Sequence, residues 1–187
     1  MTDLQKLPLP PVLTQAGYVL FMAEGAQPEK WSHAALLDAL HLYTGRNYAP
    51  EDIVRVPNAK PFLQDGSAAF SVTHSGEIWM VCIAPFPVGL DLQIHKNKYA
   101  PGVAKRYFHP SELDLLTDAR QTGEDLALFF QIWCARESYA KFTGDGVAGM
   151  DKDYSTLRSP VPLYVLPFRD GYSLTLCTDL PPHEKTL

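Results

Sequence analysis

The stretch Trp133-Cys134-Ala135-Arg136-Glu137-Ser138-Tyr139-Ala140-Lys141 holds side chains able to act together. Trp133, Glu137 and Lys141 are spaced i, i+4, i+8, so on a helix they share one face. An earlier run, Val88-Gly89-Leu90-Asp91-Leu92-Gln93, is patterned as a strand. There Asp91 and Gln93 leave the backbone on the same side of the pleat. A helix packed across the end of that strand brings two carboxylates and a neutral amide oxygen beside a lysine. Such a set suits a hard divalent cation that holds a phosphate. Each piece alone has a plainer reading. Glu137 with Lys141 makes an ordinary surface ion pair worth about 0.3–0.5 kcal/mol, and Asp91 makes a turn residue at a strand end.

The helix that must carry Glu137 is patterned over Glu124–Phe142 and stopped by Gly144 and Gly146, and apolar residues from Leu126 to Ile132 imply heavy burial. The strand that must carry Asp91 runs over Val88–Ile94, introduced by Pro85 and Pro87. Before it, Ala68–Val72 and Ile78–Ala84 read as strands joined through Thr73–Glu77, where Ser75-Gly76 predicts a hairpin. Further back, Gly17–Ala23 reads as a buried strand and Pro28–Tyr43 as a helix closed by Gly45. Residues 1–15, with Pro8, Pro10 and Pro11, suit an extended lead-in. Short helices are expected at Pro101–Tyr107 and Pro110–Asp118, the latter with proline at its start. Short strands follow around Tyr154–Leu157, Leu163–Phe168 and Tyr172–Cys177, with Asp170-Gly171 as a hairpin turn. Each half thus combines helix with antiparallel strands, which predicts a two-lobed α+β protein with a cleft between the lobes.

At 187 residues and 46% hydrophobic, the chain can bury a full core. Lys+Arg 16 against Asp+Glu 21 gives a net charge of −5, which argues against a general nucleic-acid binder. Between Ile94 and Ser111 there is no acid, while Lys96, Lys98, Lys105 and Arg106 are basic. That strip fits a discrete anionic ligand or acidic partner, or else a solvated loop. Cys82, Cys134 and Cys177 stand singly among apolar neighbours, as reduced core thiols of a cytoplasmic protein would. No leader or membrane-length apolar run is legible, so no membrane association is expected. His33, His41, His95 and His109 have no ligand spacing and read as surface or packing residues.

More elements stand in order with the first two. Ala59-Lys60-Pro61 precedes Phe70-Ser71-Val72-Thr73-His74-Ser75-Gly76, and Arg106-Tyr107-Phe108-His109-Pro110-Ser111-Glu112 precedes the long helix. The ordered set resembles the 4′-phosphopantetheinyl transferase superfamily in its surfactin-synthetase-activating, pseudo-dimeric branch. That family pattern runs Gly-Lys-Pro, Phe-Asn-x-Ser-His-Ser, Val-Gly-Ile-Asp-x-Glu, Arg-Phe-Phe with a later Glu, and Trp-x-x-Lys-Glu-[Ala/Ser]-x-x-x-Lys. The resemblance spans about Lys60 to Gly146.

It implies a pseudo-dimer of two similar lobes, residues 1–87 and 88–187, each a small antiparallel sheet packed with helices. The active site would lie in the cleft between them, with the metal site on the C-terminal lobe. Asp91 and Glu137 match the carboxylates that hold Mg²⁺ (Mn²⁺ the alternative) on the diphosphate of coenzyme A, with Gln93 as a third metal position. Thr73 and His74 match residues that meet its 3′-phosphate. Lys60 supports the same nucleotide, Lys141 reaches the phosphates, and Trp133 and Glu112 match supporting positions. The implied reaction moves phosphopantetheine from coenzyme A to a serine of an acyl or peptidyl carrier protein and releases 3′,5′-ADP. Glu137 is the expected base, with Asp91 and Lys141 completing the catalytic set, and a monomer is expected. A catalytically silent member that binds coenzyme A or a carrier without transfer is the alternative. Departures from the pattern are Gln93 for Glu, Arg136 for Lys, Ser71 for Asn, Thr73 for Ser and Ala59 for Gly. The arginine-rich helix of many relatives is replaced by one carrying His33 and His41.

Overall fold

The computed structural model describes residues 3–57, 59–146 and 153–179. The first half contributes β1 (Gln5–Leu7), α1 (Pro11–Gln15), β2 (Val19–Glu24) and α2 (Pro28–Thr44). It continues with β3 (Ile53–Val54), β4 (Phe62–Leu63), β5 (Ala69–Ser75) and β6 (Ile78–Ala84). The second half contributes β7 (Gly89–Ile94), α3 (Pro101–Tyr107), α4 (Pro110–Thr122), α5 (Asp125–Thr143), β8 (Leu163–Val165) and β9 (Tyr172–Cys177). The architecture is α+β, as expected. One antiparallel sheet has the order β1-β2-β6-β5 and another the order β7-β9-β8, with β3-β4 a small ribbon.

Alternating apolar positions dictate this layering. Met22, Met80 and Cys82 from the first sheet meet Leu90, Leu92, Leu174 and Leu176 from the second in one buried cluster. The two halves therefore share a core instead of each closing its own. The opposite face of the first sheet, with Phe21, Trp79 and Val81, is covered by Ala35, Leu36 and Leu40 of α2. A third cluster joins Phe108, Leu116, Phe129, Phe130 and Ile132 among α3, α4 and α5. The hairpin β5-β6 turns tightly, because Ser75 pairs with Ile78. Gly76 supplies the positive φ of 63° that the turn requires.

Two features set where the site forms. Along the seam between the sheets, the hydroxyls of Ser71, Thr73 and Ser75 accept hydrogen bonds from the backbone N–H groups of Leu90, Leu92 and Ile94, at 2.9, 3.1 and 2.9 Å. Side chains of β5 thus occupy the place a neighbouring strand would take beside β7. Second, α5 crosses β7 at Gly89. A methyl group at Gly89 would lie 1.9 Å from the Ser138 carbonyl oxygen and 2.5 Å from the Phe142 nitrogen. Only a residue without a side chain admits that approach.

Several boundaries differ from the sequence reading. The lead-in is not simply extended. Gln5–Leu7 takes the free edge of β2, and α1 starts with Pro11 at its first position, where a fixed φ helps and a missing N–H costs nothing. The stretch expected as a strand at Tyr154–Leu157 instead holds a 3-10 turn over Thr156–Arg158, because Glu112 captures the Thr156 N–H and hydroxyl at 2.7 Å each. Helix α4 continues to Thr122 before Gly123 ends it, and the second of the expected C-terminal strands is shortened to Leu163–Val165. Residues 147–152 and 180–187 of the expected C-terminal lobe lie outside the described residues. The three cysteines are buried and unpaired. No helix among the described residues is long and apolar enough to cross a membrane.

Candidate active site at the sheet seam

Asp91 sits on β7 with 2% exposure, and both of its oxygens are engaged. Lys141 Nζ approaches Oδ1 at 2.6 Å, and the Thr73 hydroxyl donates to the same atom at 3.1 Å. The Gln93 amide donates to Oδ2 at 2.9 Å. The strand period places Asp91 and Gln93 together, the seam delivers Thr73, and the close crossing at Gly89 lets α5 present Lys141. Glu137, one turn earlier on α5, faces the same cluster. Burial pushes its carboxyl above the ordinary carboxylate range, the Asp91 charge adds to that push, and Lys141 opposes it. Among the described residues the Glu137 carboxyl has no hydrogen-bond partner, and its oxygens reach solvent. The two acids named from the sequence are therefore within reach of each other's charge, beside the lysine.

Trp133 lies on the same face of α5, edge-on to Tyr107 with ring centroids 5.8 Å apart, and packs against the helical cluster. Glu112 is elsewhere and sealed. It receives Arg136 Nε and Nη2 at 2.9 and 2.7 Å, and both side chains are fully buried. The same carboxylate caps α4 through the His109 N–H. Glu112 is a structural anchor, and Arg136 in place of a lysine supplies its fork of donors.

A cavity of about 370 Å³ opens beside Lys141. Its walls are Ser32, Leu36 and Arg55 on one side, Phe70, Ser71 and Val72 of β5 on another, and Lys60, Ala140, Lys141 and Gly144 around the end of α5. Arg55, Lys60 and Lys141 line it and no acid among the described residues does. One apolar wall and three cations suit an anion that also carries a flat apolar part. Lys60 donates to the Val88 carbonyl, and burial draws its pKa down to about 8, with the Lys141 charge adding to the fall. Of the pair Thr73 and His74, neither lines the cavity. Thr73 is buried against Asp91, and His74 is exposed one residue further along β5.

Two contributors were not singled out from the sequence. Arg55 follows the β3 strand with no motif around it, and its Nη2 lies 3.2 Å from His33 Nδ1 of α2. Gly89 was read only as part of a strand, although the Val-Gly before Asp91 was the available signal.

The residues fit a divalent cation. Asp91 and Glu137 offer carboxylate oxygens and Gln93 an amide oxygen, a hard donor set that leaves room for phosphate oxygens and water. No group of three or more His, Cys, Asp or Glu suited to a metal occurs among the described residues, since the third member here is neutral Gln93.

The sequence profile described as the 4′-phosphopantetheinyl transferase superfamily matches residues 87–175, which contain Asp91, Gln93, Glu137 and Lys141. The 4′-phosphopantetheinyl transferase gsp of Aneurinibacillus migulanus is 29% identical over 64% of this chain and 54% of its own length. The 4′-phosphopantetheinyl transferase psf-1 of Bacillus pumilus is 32% identical over 66% of this chain and 59% of its own. The 4′-phosphopantetheinyl transferase Sfp of Bacillus subtilis (strain 168) is 34% identical over 48% and 39%. The chain spans about half the length of the curated relatives it matches. With the ordered motifs, the seam geometry and these matches together, residues 87–175 of the chain, which hold the carboxylate cluster, are similar to the 4′-phosphopantetheinyl transferase superfamily.

Proposed function

We propose that this protein transfers the 4′-phosphopantetheine group of coenzyme A to a serine hydroxyl of an acyl or peptidyl carrier protein, releasing 3′,5′-ADP, in a Mg²⁺-dependent reaction. The observation that carries the reading is the Asp91–Lys141–Glu137 cluster, whose Lys141 lines a cavity with only cations among its described charged residues. Bound there, a divalent cation would neutralise diphosphate charge and help the leaving group depart. Asp91 and Glu137 would hold it, with Gln93 as a third oxygen. Lys60 and Arg55 would bind the nucleotide's phosphates inside the cavity, and His74 would meet the 3′-phosphate from the end of β5. The apolar wall of Leu36, Phe70 and Val72 would receive the base.

Glu137 would take the proton of the incoming serine hydroxyl. Its raised pKa makes it a stronger base than a solvated glutamate, and no described residue competes for its oxygens. Lys141 reaches both the carboxylates and the cavity, so it can offset charge on the diphosphate as the bond to the pantetheine phosphate changes hands. Thr73 acts through Asp91, holding its carboxylate while accepting from the Leu92 N–H. The two halves, 1–87 and 88–187, we read as lobes of a monomeric pseudo-dimer acting in the cytoplasm.

The test is direct. The protein is incubated with coenzyme A, Mg²⁺ and an apo carrier protein, and the carrier's mass is measured. A phosphopantetheine increment that disappears with EDTA is the expected result. Saturable coenzyme A binding without an increment on several carriers would make the protein a silent binder instead.

A further inference from the structure

We infer that Lys141 holds the cation seat at Asp91 in the free protein, so that the divalent cation enters only together with the diphosphate of coenzyme A. This deepens the proposed function and rests on it. Among the described residues Lys141 is the one donor to Asp91 that also lines the cavity, and it is 28% exposed where Asp91 is 2% exposed. Thr73 and Gln93, the other donors, are fixed beside Asp91 by the strand ladder. A cation arriving alone must take Oδ1 from an ammonium at 2.6 Å. The displaced ammonium then turns toward a cavity already lined by Lys60 and Arg55, with no described acid to receive it. Like charges in a partly closed space oppose that move. A diphosphate in the cavity reverses the balance, because it gives Lys141, Lys60 and Arg55 an anion at the moment Asp91 is released.

Gln93 strengthens the effect. With Asp91 and Glu137 as the acids and Lys141 as the cation, the cluster without metal carries at most one net negative charge. A carboxylate at Gln93 would raise that charge and let a cation compete unaided. Coupling of this kind is reciprocal, so the cation tightens coenzyme A binding by the same factor that coenzyme A tightens cation binding.

The experiment titrates Mn²⁺ into the full chain and follows bound ion by electron paramagnetic resonance, with and without coenzyme A. The wild type is expected to bind Mn²⁺ at least ~10-fold more tightly in the presence of coenzyme A. Lys141→Met is expected to raise Mn²⁺ affinity without coenzyme A and to shrink the ratio. Gln93→Glu is expected to shrink it as well, with Lys141 retained. Equal Mn²⁺ affinity with and without coenzyme A in the wild type, or an unchanged ratio in both variants, overturns the inference and leaves the transferase reading standing. Failure of calorimetry to detect coenzyme A binding at any Mn²⁺ concentration overturns both.

Discussion

Helix α5 presents a cation to a buried carboxylate twice, and the two pairs are built in opposite ways. Arg136 and Glu112 are both fully buried, and Thr156 and the His109 N–H take up the remaining acceptor capacity of the glutamate. Lys141 lines the cavity and pairs from there with buried Asp91, and the lysine is partly exposed. Arginine's planar fork fixes two directions at once, whereas an ammonium is a point charge that can change partners. The first pair is a closed joint. The second is a contact made to be exchanged.

The sharpest way to break the comparison is to unpair each acid. Glu112→Gln removes the carboxylate that the buried guanidinium grips with two donors and should lower stability by about 3–5 kcal/mol, read as a collapse in Tm. Asp91→Asn should cost about 1 kcal/mol or less, because Lys141 can turn to water, yet it should abolish carrier modification. Equal Tm losses in the two variants would erase the distinction.

Next, Glu137→Gln should lower transfer by about 10²–10⁴-fold with Tm unchanged. Near-normal turnover would remove Glu137 as the base. Gly89→Ala should cost about 1–3 kcal/mol and reduce activity as well, since α5 must move off β7 and carry Glu137 and Lys141 with it; a variant with native Tm and rate would show that the crossing is slack. Thr73→Val leaves the Leu92 N–H without an acceptor and should cost about 1 kcal/mol, with weaker Mn²⁺ binding in the presence of coenzyme A. Thr73→Ser should restore both.

The smallest effect concerns Lys60. Its charge is lost as pH rises through about 8, so coenzyme A affinity should fall across that range, while Lys60→Met should bind weakly with a flatter profile. Stability moves the other way. A lysine pKa lowered from its ordinary 10.5 to about 8 means that the unfolded chain holds more protons in that window. Unfolding free energy from this group therefore rises with pH between those values.

Much of the site was legible because it obeys two short periods. Asp91 and Gln93 share a face of a strand, and Glu137 and Lys141 share a face of a helix, so type and spacing sufficed. The long helix, the β5-β6 hairpin and the last strand were legible from apolar periodicity for the same reason. What escaped depends on contacts distant in sequence. Nothing near Arg55 shows that its loop will face the end of α5. The curl at Thr156 is imposed by Glu112, and β1 forms because the edge of β2 is available. The 3′-phosphate role implied for Thr73 could not be weighed from the motif alone, since its hydroxyl turns out to be committed to Asp91 and Leu92.

The three hydroxyls set against Leu90, Leu92 and Ile94 carry one more consequence. A strand margin with unfilled amide groups invites strands from other molecules to add on, and aggregation follows. Here the plug is supplied by the other half of the chain. Fragments beginning near residue 88 would carry that margin bare, together with the apolar face that Met80 and Cys82 normally cover. Such fragments should precipitate on expression, whatever chemistry their side chains retain.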